Sequence, residues 1–272
     1  MRAVVEEVEC RSILTRSGIP GIDYALNPYV GCEHACVYCY ADFMRRFTGH
    51  REPWGSFVDV KVNAPEVLRR QLRRLPRGLI SFGTVTDPYQ PAEARYKVTR
   101  GCLEELLGRG FPVSILTKSA LILRDLDLLK ALEGLEVGFT VTVLDERVRR
   151  AFEPYSSPSR ARLEALEKLA EAGLKTWLFF GPVLPYFSDS WEHIDELFAS
   201  AAEAGVDYVL VDRLNLYPGV WGRVRRLLRR AFPEALPAYE EYRRNSMIWC
   251  EELKAKAEEA AKQHRVGLRL AF

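Results

Sequence analysis

Residues 29–42 read YVGCEHACVYCYAD and determine how the rest of the chain is interpreted. Three cysteines fall within eight residues, at Cys32, Cys36 and Cys39, with the spacing C-x3-C-x2-C. Thiolates are soft ligands that favour iron–sulfur clusters or zinc. A structural zinc site generally has four protein ligands, often as two C-x2-C pairs, and here the fourth is missing. Three thiolates on a four-iron cluster would leave one iron open for a substrate or cofactor.

The composition indicates a globular protein with one substantial core. The chain has 272 residues, of which 48% are apolar and 28% charged, and its formal net charge is +2. This charge does not by itself require a nucleic-acid partner. No apolar run approaches a membrane span, and the segment MRAVVEEVECRS lacks the apolar stretch of a signal peptide. We therefore expect a cytoplasmic protein without membrane contact, whose six cysteines serve metal or redox chemistry rather than disulfides.

After the cysteine segment, short apolar runs alternate with amphipathic stretches. The runs are rich in Val, Ile, Leu, Phe or Thr and end near Gly, Pro or Asp, which is typical of strands. Crossovers of this length imply parallel strands that are covered on both faces. The predicted strands are residues 78–86, 112–118, 136–143, 175–184 and 206–214, with another over 25–31. The predicted helices are residues 65–75, 99–109, 121–132, 158–172 and 191–204.

About six strand–helix units result, too few for an eight-unit barrel. We therefore predict an α/β fold, a partial (βα)6 TIM-like barrel of parallel strands with helical N- and C-terminal extensions. An open doubly wound sheet is the alternative. One domain is expected over residues 1–272, because no repeat or linker interrupts it. Its parts are a core barrel at about 25–217, an N-terminal extension at 1–24 and a C-terminal helical extension at 218–272, with an edge strand at 265–272.

Four motifs follow one another in an order that resembles a known family. They are EHACVYCYA (33–41), GTVTDPYQPAE (83–93), ILTKS (115–119) and FEPYSSPSRARLEALEKLAEAG (152–173). Together with the cysteine spacing they resemble the radical S-adenosylmethionine (SAM) superfamily, in its spore photoproduct lyase-like, or DNA repair photolyase-like, branch. The resemblance implies that Cys32, Cys36 and Cys39 bind a [4Fe–4S] cluster whose open iron chelates SAM. It further implies that SAM is cleaved reductively to a 5′-deoxyadenosyl radical, which abstracts hydrogen from a substrate.

The same resemblance implies a set of residues around the cofactor, at the C-terminal ends of strands. Lys118 is expected to pair with the SAM carboxylate, and Gly83 to permit a close backbone approach. Tyr40 is the candidate catalytic residue, as a hydrogen relay. The ordinary alternatives are a solvated lysine, β-branched strand residues and, for Asp87, a turn cap. The expected cofactor-binding residues are Tyr38, Gly83, Thr84, Thr86, Lys118, Thr140 and Thr142.

The substrate and the partners stay open at this stage. Spore photoproduct lyases hold a hydrogen-donating cysteine about where this chain has Thr84, so thymine-dimer repair is not expected. An external electron donor, flavodoxin- or ferredoxin-like, is implied by the resemblance. DNA or RNA is a candidate substrate because two helices are basic, although a solvated helix face is the simpler explanation. The basic residues are Arg69, Arg70, Arg73 and Arg74 in one helix and Arg223, Arg225, Arg226, Arg229 and Arg230 in the other.

Two further hypotheses complete the predictions. A non-catalytic iron–sulfur or zinc protein, serving electron transfer or structural support, is the alternative to a radical enzyme. Glu153, in the segment EPYSSPSR, is expected to have a structural role and to hold an arginine such as Arg160.

Overall fold

The structure is a computed structural model that describes residues 3–272 and contains two compact units. Unit 1 comprises the chain up to Ala35, Ala41–Gly138 and Ala172–Lys175. Unit 2 comprises Cys36–Tyr40, Phe139–Glu171 and Thr176–Phe272. The division between the units therefore falls inside the cysteine segment.

Unit 1 contains a parallel strand arrangement with helices between the strands. Its strands are β1 (Val4–Val8), β2 (Leu14–Arg16), β3 (Tyr24–Leu26), β4 (Tyr29–Gly31), β5 (Phe57–Lys61), β6 (Ile80–Phe82), β7 (Val113–Thr117) and the beginning of β8 (Leu135–Thr140). Its α-helices are α1 (Arg45–Thr48), α2 (Ala64–Leu72), α3 (Pro91–Tyr96), α4 (Val98–Leu106) and α5 (Leu126–Ala131). A 3-10 helix at Ala120–Asp125 precedes α5, so the helix predicted over 121–132 is α-helical only in its second half.

The strands of unit 1 belong to two sheets. In the larger sheet, β3, β6 and β7 are parallel, with Tyr24 opposite Ile80, and β2 is antiparallel to β3. In the smaller sheet, β5 pairs in parallel with β1 and antiparallel with β4. The single strand predicted over 25–31 is wrong, because β3 and β4 lie in different sheets. Pro28 separates them, and proline cannot donate the hydrogen bond that would continue a strand ladder.

The N-terminal residues also differ from the expectation of a helical extension. Residues 4–8, VVEEV, form β1, because β-branched valines favour the extended backbone and pair with β5. The C-terminal extension is helical as predicted.

Unit 2 contains the end of β8, three further parallel strands and the larger helices. Its strands are β9 (Lys175–Val183), β10 (Tyr208–Arg213) and β11 (Gly267–Leu270). Tyr208 of β10 lies opposite both Trp177 of β9 and Gly267 of β11, and both pairings are parallel, so the predicted edge strand is confirmed. Its α-helices are α6 (Glu146–Phe152), α7 (Ser159–Glu171), α8 (Trp191–Glu203), α9 (Pro218–Ala231), α10 (Leu236–Arg244) and α11 (Ser246–His264).

Two helices of the core end at glycines. Gly173 after α7 and Gly205 after α8 have φ angles of +80° and +68°, the left-handed conformation that favours glycine at a helix end. Within the C-terminal helical extension, α10 and α11 are separated at Asn245. No helix in residues 3–272 combines the length and apolar character needed to span a bilayer.

Candidate functional site

The cysteine segment begins in unit 1 with a glycine that no other residue can replace without strain. Gly31 ends β4 with a φ of +80°, and a Cβ there would lie 2.3 Å from the carbonyl oxygen of Phe57. Cys32 follows and is buried, and the amide of Ala35 donates to its carbonyl oxygen at 3.2 Å. The first cysteine is therefore placed by a tight turn against β5.

A hydrogen-bond network in unit 1 ties this turn to the segment GTVTDPYQPAE. The hydroxyl of Thr86 donates to the carbonyl oxygen of Gly31 at 2.5 Å, and the Gln90 amide donates to Thr86 at 3.0 Å. The Gln90 Oε1 accepts from the amide of Glu33 at 2.9 Å, and the Glu33 carboxylate accepts from the amide of Ala92 at 2.6 Å. Thr86, predicted to bind the cofactor, thus has a structural partner in the cysteine segment.

Asp87 joins the same turn to the end of β7. Its carboxylate accepts from the Thr117 hydroxyl at 2.7 Å and from the Lys118 amide at 2.8 Å, and His34 Nδ1 lies 3.3 Å away. It also accepts from the amide of Tyr89 at 2.9 Å, which is the turn cap that was the simpler expectation. Burial raises the pKa of Asp87, but His34, Thr117 and Lys118 outweigh it and lower the pKa to about 2. Asp87 is therefore an ionised connector that fixes the main chain at Lys118.

Gly83 and Thr84 follow β6 and are held by contacts within unit 1. Gly83 has a φ of +83°, and a Cβ there would lie 2.7 Å from Pro88 and 2.9 Å from the carbonyl oxygen of Leu116. The hydroxyl of Thr84 accepts from the side-chain amide of Asn27 at 2.9 Å. The same Asn27 accepts from the amide of Val85 at 3.0 Å. This strand end is thus rigidly held by β6 and by the residues after β3.

The second half of the cysteine segment lies in unit 2 and is held through its main chain. The Val37 amide donates to the carbonyl oxygen of Phe152 at 2.8 Å, and the Cys39 amide donates to that of Cys36 at 3.1 Å. Arg223 of α9 donates to the carbonyl oxygens of Val37 at 3.0 Å and Cys39 at 2.6 Å. Arg223, assigned from sequence to a basic surface helix, therefore contacts the cysteine segment directly.

Cys36 and Tyr38 belong to an apolar cluster of unit 2, which we call the α9 cluster. Both side chains are buried, at 6% and 8% exposure. Their environment excludes water and disfavours any unbalanced charge. The other buried members of the α9 cluster are Val143, Val148, Phe152, Leu184, Phe187, Leu214, Val220, Val224, Leu228, Phe232, Ala235, Tyr239 and Tyr242.

Glu153 is the centre of a buried polar network in unit 2. Its carboxylate accepts from the hydroxyl of Tyr38, from Arg162 at 2.5 Å and from Thr142 at 3.2 Å. Arg162 also donates to the carbonyl oxygen of Thr140 at 2.8 Å. The prediction that Glu153 holds an arginine is correct, but the arginine is Arg162. Arg160 is exposed and pairs with Glu164 instead, because the two arginines lie on different faces of α7.

The remaining predicted residues of unit 2 differ in their surroundings. The hydroxyl of Thr140 is buried and makes no hydrogen bond within residues 3–272. The Tyr40 side chain is half-exposed, and burial of the rest together with the charges of Cys39 and Asp212 raises its pKa to about 12. Burial also raises the pKa of Asp212, at the end of β10, to about 6. A neutral phenol and a buried strand-end hydroxyl are thus the groups best suited to meet a ligand.

The chemistry of the cysteine side chains implies a metal centre, although potential ligands do not already lie together around one point. Across residues 3–272, no three His, Cys, Asp or Glu side chains come together as a ready-made metal site. The three cysteines of the C-x3-C-x2-C spacing supply thiolates, which fit an iron–sulfur cluster, and the partnerless Thr140 hydroxyl fits a polar ligand group.

Sequence reasoning missed several residues that place the cysteine segment. Gln90 lies in GTVTDPYQPAE and Glu33 in EHACVYCYA, and a buried side-chain amide or carboxylate beside a turn gives no periodic signal. Arg162 shares its helix face with Leu166 and Leu169, a spacing that identifies a buried position. That spacing was the signal that would have favoured Arg162 over Arg160.

Comparison with known proteins gives three similarities and one family match. Residues 26–198 match the family model described as Radical SAM superfamily. An uncharacterized protein of Methanocaldococcus jannaschii is 37% identical over 183 residues, covering 67% of this chain and 69% of that protein. An uncharacterized protein of Mycobacterium bovis is 38% identical over 255 residues, covering 89% of this chain and 74% of the relative.

A solved structure extends the similarity over nearly the whole chain. Spore photoproduct lyase complexed with dinucleoside spore photoproduct has a TM-score of 0.72 at 18% identity, covering 98% of this chain and 82% of that one. At this identity the likeness shows the fold. The predicted α/β class, a partial barrel of mostly parallel strands with helical extension, is confirmed.

Proposed function

Because this chain belongs to the radical SAM superfamily, we propose that Cys32, Cys36 and Cys39 ligate a [4Fe–4S] cluster with SAM at its open iron. Membership makes the protein a radical SAM enzyme that uses an iron–sulfur cluster and SAM. The observation that carries the finer proposal is the C-x3-C-x2-C donor set, which supplies three thiols within residues 29–42. When bound, cluster and SAM supply a reductive carbon–sulfur cleavage whose 5′-deoxyadenosyl radical takes hydrogen from the substrate.

The residues of unit 1 are proposed to receive SAM at the strand ends. Lys118 ends β7 with its main chain fixed by Asp87, and its ammonium group would pair with the SAM carboxylate. Gly83 and Thr84 after β6 would let the backbone approach the methionine part of SAM. Thr86 would act indirectly, since its hydroxyl is bonded to Gly31.

The residues of unit 2 are proposed to bind, orient and shield. The Thr140 hydroxyl is a buried donor that would bond a polar group of SAM, whereas the Thr142 hydroxyl is bonded to Glu153. Tyr38, with its hydroxyl on Glu153, would present its ring rather than its hydroxyl to the cofactor. The apolar α9 cluster around Cys36 would exclude water from the reactive centre.

Tyr40 is proposed as the residue that relays a hydrogen atom. With a pKa raised to about 12, its phenol keeps the O–H hydrogen at neutral pH. Half of the side chain is exposed, so a substrate has access to it. An external electron donor, flavodoxin- or ferredoxin-like, would reduce the cluster, in the cytoplasm.

Nucleic acid is the substrate class we favour for a first test. Arg229 and Arg230 are exposed on α9, and within residues 3–272 no ion pair involves them. Arginines without acidic partners neutralise phosphates. On α2, by contrast, Arg70 pairs with Glu66 at 3.3 Å, so that helix is the weaker candidate. Salt-dependent binding of DNA or RNA would support this substrate class, and no binding at low salt would eliminate it.

One anaerobic experiment tests the proposed activity. The protein is reconstituted with iron and sulfide and mixed with SAM and dithionite, and 5′-deoxyadenosine is quantified. We expect product from the wild type and none from Cys36→Ala, which should also lose iron. A fully loaded cluster without 5′-deoxyadenosine would instead favour the alternative, a non-catalytic iron–sulfur protein, and zinc in place of iron would favour a structural site.

A further inference from the structure

Arg223 lies in α9, beyond residues 26–198 that the family model matches, and yet it holds the cysteine segment. Its Nε donates to the carbonyl oxygen of Val37 at 3.0 Å, and its Nη2 donates to that of Cys39 at 2.6 Å. We propose that Arg223 is a positioning residue for the iron–sulfur cluster, setting the main chain between Cys36 and Cys39. This inference rests on the proposed function, because it takes those two cysteines as cluster ligands.

The geometry suits arginine better than any other side chain. A guanidinium is planar and carries its donors in a fixed fork, so one side chain holds two acceptors at a fixed separation. The amides of the same segment are also bonded, Val37 to Phe152 and Cys39 to Cys36. Arg223 therefore adds two hydrogen bonds to the backbone that connects the second and third cysteines.

The position of Arg223 on its helix explains why its side chain is directed at the segment. Val220 and Val224 are buried in the α9 cluster together with Cys36 and Tyr38. They lie three residues before and one residue after Arg223, and so anchor this turn of α9 beside the cysteines. Arg226, on the same helix, is exposed and supplies a matched control.

Loss of the Arg223 guanidinium should weaken metal binding by the cysteines rather than unfold the chain. Groups that orient metal ligands from outside the ligand set typically change metal affinity 10–100-fold when they are mutated. Arg223→Met keeps much of the apolar stem and removes both hydrogen bonds. Arg223→Lys keeps the charge but places all its donors on one nitrogen, so it should restore the contact only in part.

The first measurement uses metal-free protein, so that it does not depend on the cluster. Amide hydrogen exchange is followed in a peptide that contains Val37 and Cys39, for wild type, Arg223→Met, Arg223→Lys and Arg226→Met. We expect exchange about tenfold faster in Arg223→Met, an intermediate rate in Arg223→Lys and no change in Arg226→Met.

The second measurement uses reconstituted protein. Iron release to a chelator should be about tenfold faster in Arg223→Met than in Arg226→Met, and the electron paramagnetic resonance spectrum of the dithionite-reduced cluster should change. The inference is overturned if amide exchange in Arg223→Met is as slow as in the control Arg226→Met. It is also overturned if exchange is faster but the rate of iron release and the electron paramagnetic resonance spectrum are unchanged. If Arg223→Met does not fold, Arg223→Lys carries both comparisons. If the wild-type protein holds no iron, the proposed function is refuted, and with it the role of Arg223 at a cluster. The exchange data from metal-free protein then still show whether Arg223 holds the main chain at Val37 and Cys39.

Discussion

The hydroxyl of Thr86 donates a 2.5 Å hydrogen bond to the carbonyl oxygen of Gly31, the residue before the first cysteine. Both groups are buried, and Gln90 bonds to the same two oxygens. This contact gives a physical reason why the segments YVGCEHACVYCYAD and GTVTDPYQPAE occur together in one chain: the second supplies the partners that the first needs to make its turn.

Removing the Thr86 hydroxyl should therefore destabilise unit 1. Thr86→Val leaves a buried carbonyl oxygen with a weaker set of donors, and we expect a loss of about 1–3 kcal/mol in the free energy of unfolding. Urea denaturation measures it. Thr15→Val, which removes an exposed hydroxyl from β2, is the control and should change stability by less than about 0.5 kcal/mol. Equal effects in both variants would show that the Gly31 contact contributes nothing particular.

Gly31 itself should tolerate no side chain. Gly31→Ala combines a positive φ with a Cβ placed 2.3 Å from a backbone oxygen, so we expect a loss above about 3 kcal/mol or failure to fold. Gly49 has a similar φ of +77° but open space around its Cβ position. Gly49→Ala should lose only about 1–2 kcal/mol in the same denaturation experiment. If the two variants lose the same free energy, the close approach to Phe57 is not what requires glycine.

Breaking the buried pair of Glu153 and Arg162 should be costly. Glu153→Gln leaves the Arg162 charge buried without its counter-ion, and we expect a loss of about 3 kcal/mol or more. Glu164→Gln removes the partner of the exposed Arg160 and should change stability by no more than about 1 kcal/mol. Thermal and urea unfolding of both variants measure the two losses in the free energy of unfolding. Equal losses would show that the stability does not depend on the buried Glu153–Arg162 pair.

Asp87 should make stability depend on acid pH. Its folded pKa of about 2 lies below the ordinary 3.8, so ionised Asp87 contributes stability that is present above pH 3.8. That contribution disappears as the pH falls through about 2. We expect wild type to exceed Asp87→Asn by about 2 kcal/mol at neutral pH, with the difference shrinking between about pH 4 and pH 2. Glu203→Gln, at an exposed position, controls for general charge loss, and a difference that grows toward low pH would contradict the assignment.

Because Thr84 stands where spore photoproduct lyases have a hydrogen-donating cysteine, we expect this protein not to repair thymine dimers. The aliphatic hydroxyl of Thr84 is a poor hydrogen-atom donor, unlike a thiol or the phenol of Tyr40. We expect the reconstituted protein to form 5′-deoxyadenosine with SAM and dithionite but not to convert spore photoproduct to thymines at a useful rate. Chromatography of an oligonucleotide that contains the lesion measures this outcome, and efficient repair by the wild type would reverse our conclusion about the substrate.

The sequence predicts the fold well where the chain is periodic. Strands such as residues 113–117 and 208–213 are short apolar runs between turn residues, and their parallel pairing follows from the helices between them. The small sheet of unit 1 was not predicted. Its paired positions in β1 and β5, such as Val8 and Lys61, are 53 residues apart in the sequence, and no local pattern records such pairing.

In the candidate site, too, residues that belong to short sequence motifs were predicted, whereas contacts between residues far apart in the chain were not. The cysteines and the strand-end residues follow from spacing and motif order within a few residues. The contact of Arg223 with Val37 and Cys39 joins positions 186 and 184 residues apart, and a basic amphipathic helix predicts surface exposure rather than a role in the cysteine segment. Every residue type has a main-chain carbonyl oxygen, so the sequence does not indicate which residues accept such contacts.

That last property bears on how the cysteine segment can be engineered. Phe152 and Arg223 both contact the peptide groups of Val37, so the path of the chain at this position is fixed through its main chain. A library that varies Val37 should retain the loop as long as proline is omitted, since Val37 must keep its amide. Position 37 is therefore a place to introduce a label or tuning group, with the thiols left where the backbone puts them.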